Sequence, residues 1–365
     1  MEAGGVATLN WSQAKIEDFR RTLLAWYDEA GRDLPWRQDH EPYHVLISET
    51  MLQQTQVKTV IPYYLNFIAQ FPTVQALAAA PEAAVMKAWE GLGYYSRARN
   101  LQKAAQQVAA ADGVWPQTAE GLRALAGVGP YTAGAIASIA FNQVEPAIDG
   151  NAFRVFARLF CVPDDITKPK TRQVFDELIR RVIDPARPGD FNQAIMDLGA
   201  SYMTAKDPDA AHSPVAAFDE SLRRGTVLDF PVRTKKARPR PIDYYALAIR
   251  GPEGWLMAQR PDSGMLARLW LFPLVAVAAL PEATPAAAAS WFAAQTGHEL
   301  ALTAAPCPAV SHTFTHQKWQ MTLLEADTTG FAASDLTWVA DFNQVALPTV
   351  QKKLLAALGK AGRLE

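Results

Sequence analysis

Cysteine is almost missing from this chain: 365 residues hold two, Cys161 and Cys307. Two thiols cannot build a disulfide framework, and they cannot supply a four-cysteine metal site. Long apolar runs are missing too, since none reaches the ~18 residues of a membrane-spanning helix. The opening MEAGGVATLNWSQAKIEDF lacks the basic-then-apolar layout of a secretory leader, so a cytoplasmic protein is expected. Nor is there an excess of charge of one sign. A formal net charge of −2 gives no global reason to bind a polyanion, and any such activity has to rest on local features. What is present is a globular composition, 49% hydrophobic and 20% charged, able to bury real cores. At ~150 residues per domain the length suggests about two domains.

The first 230 residues read as helical. Ile16–Asp28, Tyr43–Gln54, Val60–Gln70, Glu82–Glu90, Ala98–Ala111, Ala119–Leu125, Thr132–Ala140, Ala152–Phe160 and Thr171–Val182 carry helix-compatible patterns. Prolines at 35, 42, 62, 72, 81, 116, 146 and 185 punctuate them, and strand-like runs are missing from this half. Composition then shifts. Residues 231–241, PVRTKKARPRP, hold five cations and three prolines, which reads as an extended linker rather than a contact surface.

Beyond the linker the pattern turns to strands. Tyr244–Arg250 and Trp255–Gln259 flank a Gly-Pro-Glu-Gly turn and read as a hairpin. Trp270–Val277 and Trp319–Glu325 are further strand candidates. Pro285–Gln295, with Thr284 as N-cap, and Thr349–Leu358 read as helices. Residues 242–365 are therefore expected to form a small α+β domain, and no repeat of solenoid type is visible.

Three places could carry chemistry. In Leu122–Ile136, LRALAGVGPYTAGAI, Gly127 and Gly129 bracket Val128, and Pro130 suits the first turn of a new helix. Glycines allow a tight turn and close approach, and the free N–H groups of a helix start favour a phosphate. An ordinary helix–turn–helix corner would look the same. Glu49 has Val45, Leu46, Leu52 and Gln53 as its helical neighbours. Burial on that face would raise its pKa and keep it protonated, as a general acid requires, whereas a Glu at the edge of the stripe would reach water. Asp149 precedes Gly150-Asn151 and a helical run. It reads either as an N-cap or as a carboxylate held at a helix start to face a developing cation.

The fuller pattern L-x-G-V-G-x-x-T-A resembles the helix-hairpin-helix of base-excision DNA glycosylases. More specifically, LPWR at Leu34–Arg37, LISETMLQQTQV at Leu46–Val57, GLGYYSRARNL at Gly91–Leu101, IDGNAFRV at Ile148–Val155 and FNQAIMDLGA at Phe191–Ala200 are similar to the adenine DNA glycosylase (MutY) family. The similarity runs in order over most of residues 30–200 and continues more loosely beyond. The fold class it implies is multidomain: an all-α helix-hairpin-helix glycosylase domain over 1–230, then an α+β Nudix-like domain over 242–365.

The resemblance assigns roles. Glu49 would protonate adenine at N7, and Asp149 would stabilise an oxocarbenium-like sugar, a division of labour like that of glycoside hydrolysis. Tyr131 and Asn151 match positions beside them. Trp36, Arg37, Leu52, Gln193 and Asp197 would line the pocket for a flipped adenine. Gln54, Leu92 and Tyr94 would wedge into the base stack, and Gly127, Val128 and Gly129 would meet the backbone. Bifunctional relatives such as endonuclease III carry a Schiff-base lysine where this chain has Tyr131, and a phenol cannot form an imine. A monofunctional glycosylase acting on adenine opposite 8-oxoguanine or guanine is implied. Its partner would be duplex DNA, without a membrane, and it would work as a monomer on the nucleoid in a bacterial cell. A lyase-type glycosylase for oxidised pyrimidines, or a silent DNA-binding relic, would be the alternatives.

The chain departs from the family in three places. Most members hold a [4Fe–4S] cluster by C-x6-C-x2-C-x5-C, but the matching positions here are Met203, Ala210, Ser213 and Asp219, so no such cofactor is expected. His212 reads as a loop residue. A packed helix over Pro214–Arg224, with Val215, Phe218 and Leu222 as its apolar stripe, is expected in the cluster's place. The Nudix-like helix Pro285–Gln295 holds no acid, so nucleotide hydrolysis is not expected. The family's lesion-reading F-S-H is here Phe314-Thr315-His316, which keeps a hydroxyl and adds a methyl.

Overall fold

The structure, a computed structural model, describes residues 10–234, 238–333 and 335–362. Residues 1–9, the centre of the basic linker at 235–237, residue 334 and residues 363–365 lie outside the described residues. The helices are α1 (Gln13–Ala30), α2 (Pro42–Leu52), α3 (Val57–Gln70), α4 (Val74–Ala79), α5 (Glu82–Ala88), α6 (Ser96–Ala110), α7 (Ala119–Leu122), α8 (Pro130–Phe141), α9 (Gly150–Phe160), α10 (Thr171–Val182), α11 (Pro188–Ser201) and α12 (Glu220–Arg223). Eight strands follow among the described residues, with α13 (Pro285–Thr296) and α14 (Thr349–Lys360). The chain divides into two compact units, 1–80 with 100–235, and 81–99 with 236–365.

In the first unit local rules set the helix ends. Ser12 caps α1 by accepting from the Lys15 amide, and Asp149 caps α9 by accepting from that of Ala152. Pro130 opens α8 with Gly129 as its cap. Phe19 and Leu23 of α1, Val155 and Phe156 of α9, Phe175 and Ile179 of α10, and Phe191 and Leu198 of α11 form one buried core. The α2 helix is buried from Val45 to Met51, so a polar residue there must find partners inside. Pro62 does not separate helices but lies within α3. Sequence periodicity also passed over α4 and α11.

The segment in the cluster's place is not one helix. A short 3-10 turn, Ala216–Phe218, is followed by α12, and Asp219 between them has extended backbone. Asp219 breaks the helix because its carboxylate caps the next one, accepting from the Leu222 amide and the Ser221 hydroxyl. Val215 and Phe218 still enter the core, whereas Leu222 is only half-buried.

The second unit is built on a mixed sheet of order β3-β2-β1-β7-β5. Its long central pair, β1 (Arg240–Gly251) and β7 (Gln317–Asp327), is parallel and in register from Arg240↔Gln317 to Arg250↔Asp327. β1 turns through Pro252-Glu253 into β2 (Gly254–Gln259). The run 270–277 splits into β3 (Trp270–Leu271) and β4 (Leu274–Ala276), the first on β2 and the second on β1. Pro273 lies between them and has no N–H to donate to a ladder. β5 (Thr303–Ala304) and β6 (Val310–Thr313) flank β7, and β8 (Leu336–Val339) flanks β2. Leu247, Ile249, Leu256, Val275, Phe292 and Leu324 fill the core. The expected linker is shorter than 231–241. Arg240 and Pro241 already pair in β1, while the Val232 carbonyl and Thr234 bond to Ile166 and Asp165 of the first unit.

Segment 81–99 belongs to this unit because its side chains bond there. Glu82 pairs with Arg268, Lys87 donates to the Val345 carbonyl, the Tyr95 hydroxyl donates to the Leu347 carbonyl, and Glu90 is buried between Lys87 and Lys352.

Candidate active site

A cavity of about 560 Å³ in the first unit is lined by Glu49, Tyr131, Asp149 and Asn151, together with Trp36, Arg37, Leu52 and Gln193. Three elements bring the polar groups together: α2 carries Glu49, the first turn of α8 carries Tyr131, and the start of α9 carries Asp149 and Asn151. Gly199 of α11 makes room for the last of these, since a Cβ there would lie 2.6 Å from the Cβ of Asn151.

Glu49 is 5% exposed, and burial pushes its carboxyl up to about 7. The Tyr131 hydroxyl, which donates to Glu49 Oε2, and the nearby Arg37 oppose that rise, while Asp149 adds to it. Burial raises the Tyr131 phenol well above its ordinary value, so it remains a donor. Burial also raises Asp149, opposed by the Ala152 amide, the Asn151 side chain and Arg154. The helix start thus offsets the cost of burying this anion without overcoming it. Asp149 is cap and site residue at once: one oxygen accepts from the Ala152 amide and the other from Asn151 Nδ2, both at 2.7 Å.

Asp197 is the correction among the pocket residues. It does not line the cavity. It is buried behind it, accepting from Arg32 and from both terminal nitrogens of Arg37 at 2.8 Å. Its role is to aim Arg37, and those contacts hold its own pKa low against burial. Arg154 was missed. It donates to Asn151 Oδ1 at 2.6 Å and to the Met203 and Gly199 carbonyls, which orients the Asn151 amide toward Asp149. Its spacing of three from Asn151 on one helix face was the available signal.

The hairpin from α7 to α8 has the expected shape. Gly127 adopts φ +74°, and a Cβ there would meet Asn100 at 2.6 Å. Gly129 opens onto free space, while the Val128 side chain is buried, so of these three it is the backbone that can face a ligand. Gln54 sits at the cavity rim with φ +61°. In the second unit Tyr94 is 49% exposed, but Leu92 is buried and is not displayed as a wedge. Phe314-Thr315-His316 form the turn between β6 and β7, with the Phe314 ring against Trp319 and His312.

Met203, Ala210, Ser213 and Asp219, the positions that the resemblance matches to cluster cysteines, are all buried. Met203 packs in the core, and Ser213 and Asp219 accept local amides. This donor set contains no thiolate and does not fit a [4Fe–4S] cluster. His212 is exposed and pairs with Asp209 at the surface. Beside the segment, fully buried Arg158 donates to the carbonyls of Thr204, Val227 and Phe230.

The helical unit and its two carboxylates define a DNA glycosylase of the helix-hairpin-helix class. The HhH-GPD superfamily of base excision DNA repair proteins matches residues 47–181, and a NUDIX domain matches residues 244–357. A thermostable thymine-DNA glycosylase shares the fold over 58% of this chain and 98% of its own, with a TM-score of 0.53 at 24% identity. The adenine DNA glycosylase of Rattus norvegicus is 37% identical over 93% of this chain and 78% of its own. That of Mus musculus is 41% identical over 72% of this chain and 61% of its own. The chain belongs to the adenine DNA glycosylase family, enzymes of base excision repair.

Proposed function

We propose that this protein hydrolyses the N-glycosidic bond of adenine mispaired with 8-oxoguanine, and less readily with guanine, and leaves the strand intact. The observation that carries the reading is Glu49, buried so that its carboxyl is pushed up to about 7, sharing one cavity with Asp149. A flipped adenine in that cavity receives the Glu49 proton at N7, which makes the base a neutral leaving group. The sugar becomes oxocarbenium-like, and Asp149, ordered by Asn151 and the start of α9, faces the positive charge. Water completes the hydrolysis. Tyr131 donates to Glu49 and brings no amine, so no Schiff base forms and the abasic strand is not cut. The free backbone at Gly129 and the start of α8 suits a DNA phosphate. The chain is proposed to act as a monomer, and also without an iron–sulfur cluster, the latter supported by the residues at 203, 210, 213 and 219. A gel assay on an A·8-oxoguanine duplex tests the activity. Strand breaks should appear only after alkali, with no adduct trapped by borohydride; breaks without alkali, or a trapped adduct, would favour a lyase.

A further inference from the structure

Asp197 of α11 is off the cavity wall, yet it is tied to two arginines through both of its oxygens. One accepts from the Arg32 amide at 2.9 Å and from Arg37 Nη1 at 2.8 Å. The other accepts from Arg32 Nε and from Arg37 Nη2, both at 2.8 Å. The Arg37 guanidinium is held from other sides as well. Its Nη1 also donates to the Arg32 carbonyl at 3.2 Å, and it lies 5.7 Å from the centroid of the Tyr27 ring of α1. Asp197 is buried, and the Arg37 side chain is only 10% exposed.

Arg37 shares the cavity with Glu49. The groups that act on Glu49 come from three other elements: Tyr131 of α8, Asp149 at the start of α9, and Arg37 of the short 3-10 turn Pro35–Arg37. Asp149 in turn faces Arg154. A general acid must arrive with its proton. A cation in the same buried cavity favours the opposite state, because an ionised carboxylate would pair with it. Arg37 is that cation, and Asp197 occupies both of its terminal nitrogens in the two-pronged geometry that suits a guanidinium.

We propose that Asp197 is a positioning residue for proton transfer: by binding both terminal nitrogens of Arg37 it holds that guanidinium off Glu49 and balances its charge, so that Glu49 meets the adenine with its proton in place. Asp197 touches neither the base nor the sugar and acts through Arg37. This rests on the acid role proposed above for Glu49.

The test follows kcat/KM on an A·8-oxoguanine duplex from about pH 5.5 to about 9 in the full-length protein, for wild type, Asp197→Asn, Arg37→Gln and the double variant. Wild type should lose activity as pH rises through about 7. Asp197→Asn leaves the Arg37 charge unbalanced, and its loss of activity should come about one to three pH units lower, the scale of a nearby opposite charge. Arg37→Gln removes the cation itself. Alone it should move the fall above that of wild type, and in the double variant it should undo the downward shift. An Asp197→Asn rate lowered by the same factor at every pH would overturn the proposal, because a carboxylate that merely ties α11 to residues 32–37 behaves that way. So would a double variant whose fall stays as low as that of Asp197→Asn. If Asp197→Asn does not fold, Arg37→Gln decides: an upward shift supports the proposal and an unmoved fall overturns it. If wild type shows no fall near pH 7, the acid role of Glu49 fails and this inference with it; if wild type falls there and no variant moves the fall, the inference alone fails.

Discussion

Glu49 illustrates how one buried side chain links catalysis to stability. Burial pushes its carboxyl from the ordinary 4.5 up to about 7, so the folded state favours the protonated form. In the acid role that form is the active one, and kcat/KM should fall as pH rises through about 7. The same shift bears on folding. Stability from the neutral carboxyl is fully present below the unfolded value and is lost as pH rises through the folded one. Glu49→Gln cannot ionise. Its stability relative to wild type should therefore increase from pH 5 to pH 8 by about 2–3 kcal/mol, readable by urea unfolding. An equal difference at both pH values would remove the burial argument. The mostly apolar helical neighbours of Glu49 left two readings open, burial or a reach to water, and the structure shows burial. The task of Asp197 was not legible, because Arg32 and Arg37 lie more than 150 residues away in sequence, and no local pattern brings them to it.

The clearest lesson at the scale of elements comes from residues 203–224. The apolar positions Val215 and Phe218 announced a packed segment, and both are in the core. The continuous helix did not form, because Asp219 offers its carboxylate to the chain ahead of it, a competition that periodicity does not register. Arg158 was equally invisible, since carbonyl acceptors leave no trace in side-chain patterns. Arg158→Met would leave three partly buried carbonyls without their donor and should cost about 1–3 kcal/mol by urea unfolding. A change within about 0.5 kcal/mol would mean that this arginine does not hold the segment. Purified protein should contain no stoichiometric iron and show no iron–sulfur absorption band. In the second unit the strands around the Gly-Pro-Glu-Gly turn were legible from alternation and turn residues, whereas the run 270–277 was read as one strand and its break at Pro273, which cannot donate to a ladder, was passed over.

At the scale of the whole molecule, the two units do not coincide with a cut at residue 230. Segment 81–99 spends its polar groups on Val345, Leu347, Lys352 and Arg268. Deleting residues 231–365 should leave slow cleavage of A·G mispairs, because both carboxylates and the hairpin remain. It should also expose segment 81–99 to limited proteolysis, so the loss of preference for 8-oxoguanine combines a lost turn with a loosened one. A truncated protein whose 81–99 segment resists protease as the full chain does would contradict that grouping. The most direct test of the whole account compares wild type with Glu49→Gln on an A·8-oxoguanine duplex under single turnover, with affinity measured alongside. Wild type should release adenine. The variant should bind within a few-fold of it and release adenine about 10²–10⁴-fold more slowly, the range expected for a lost general acid. A variant that retains more than about a tenth of the wild-type rate, or a wild type that releases no adenine, would contradict the account.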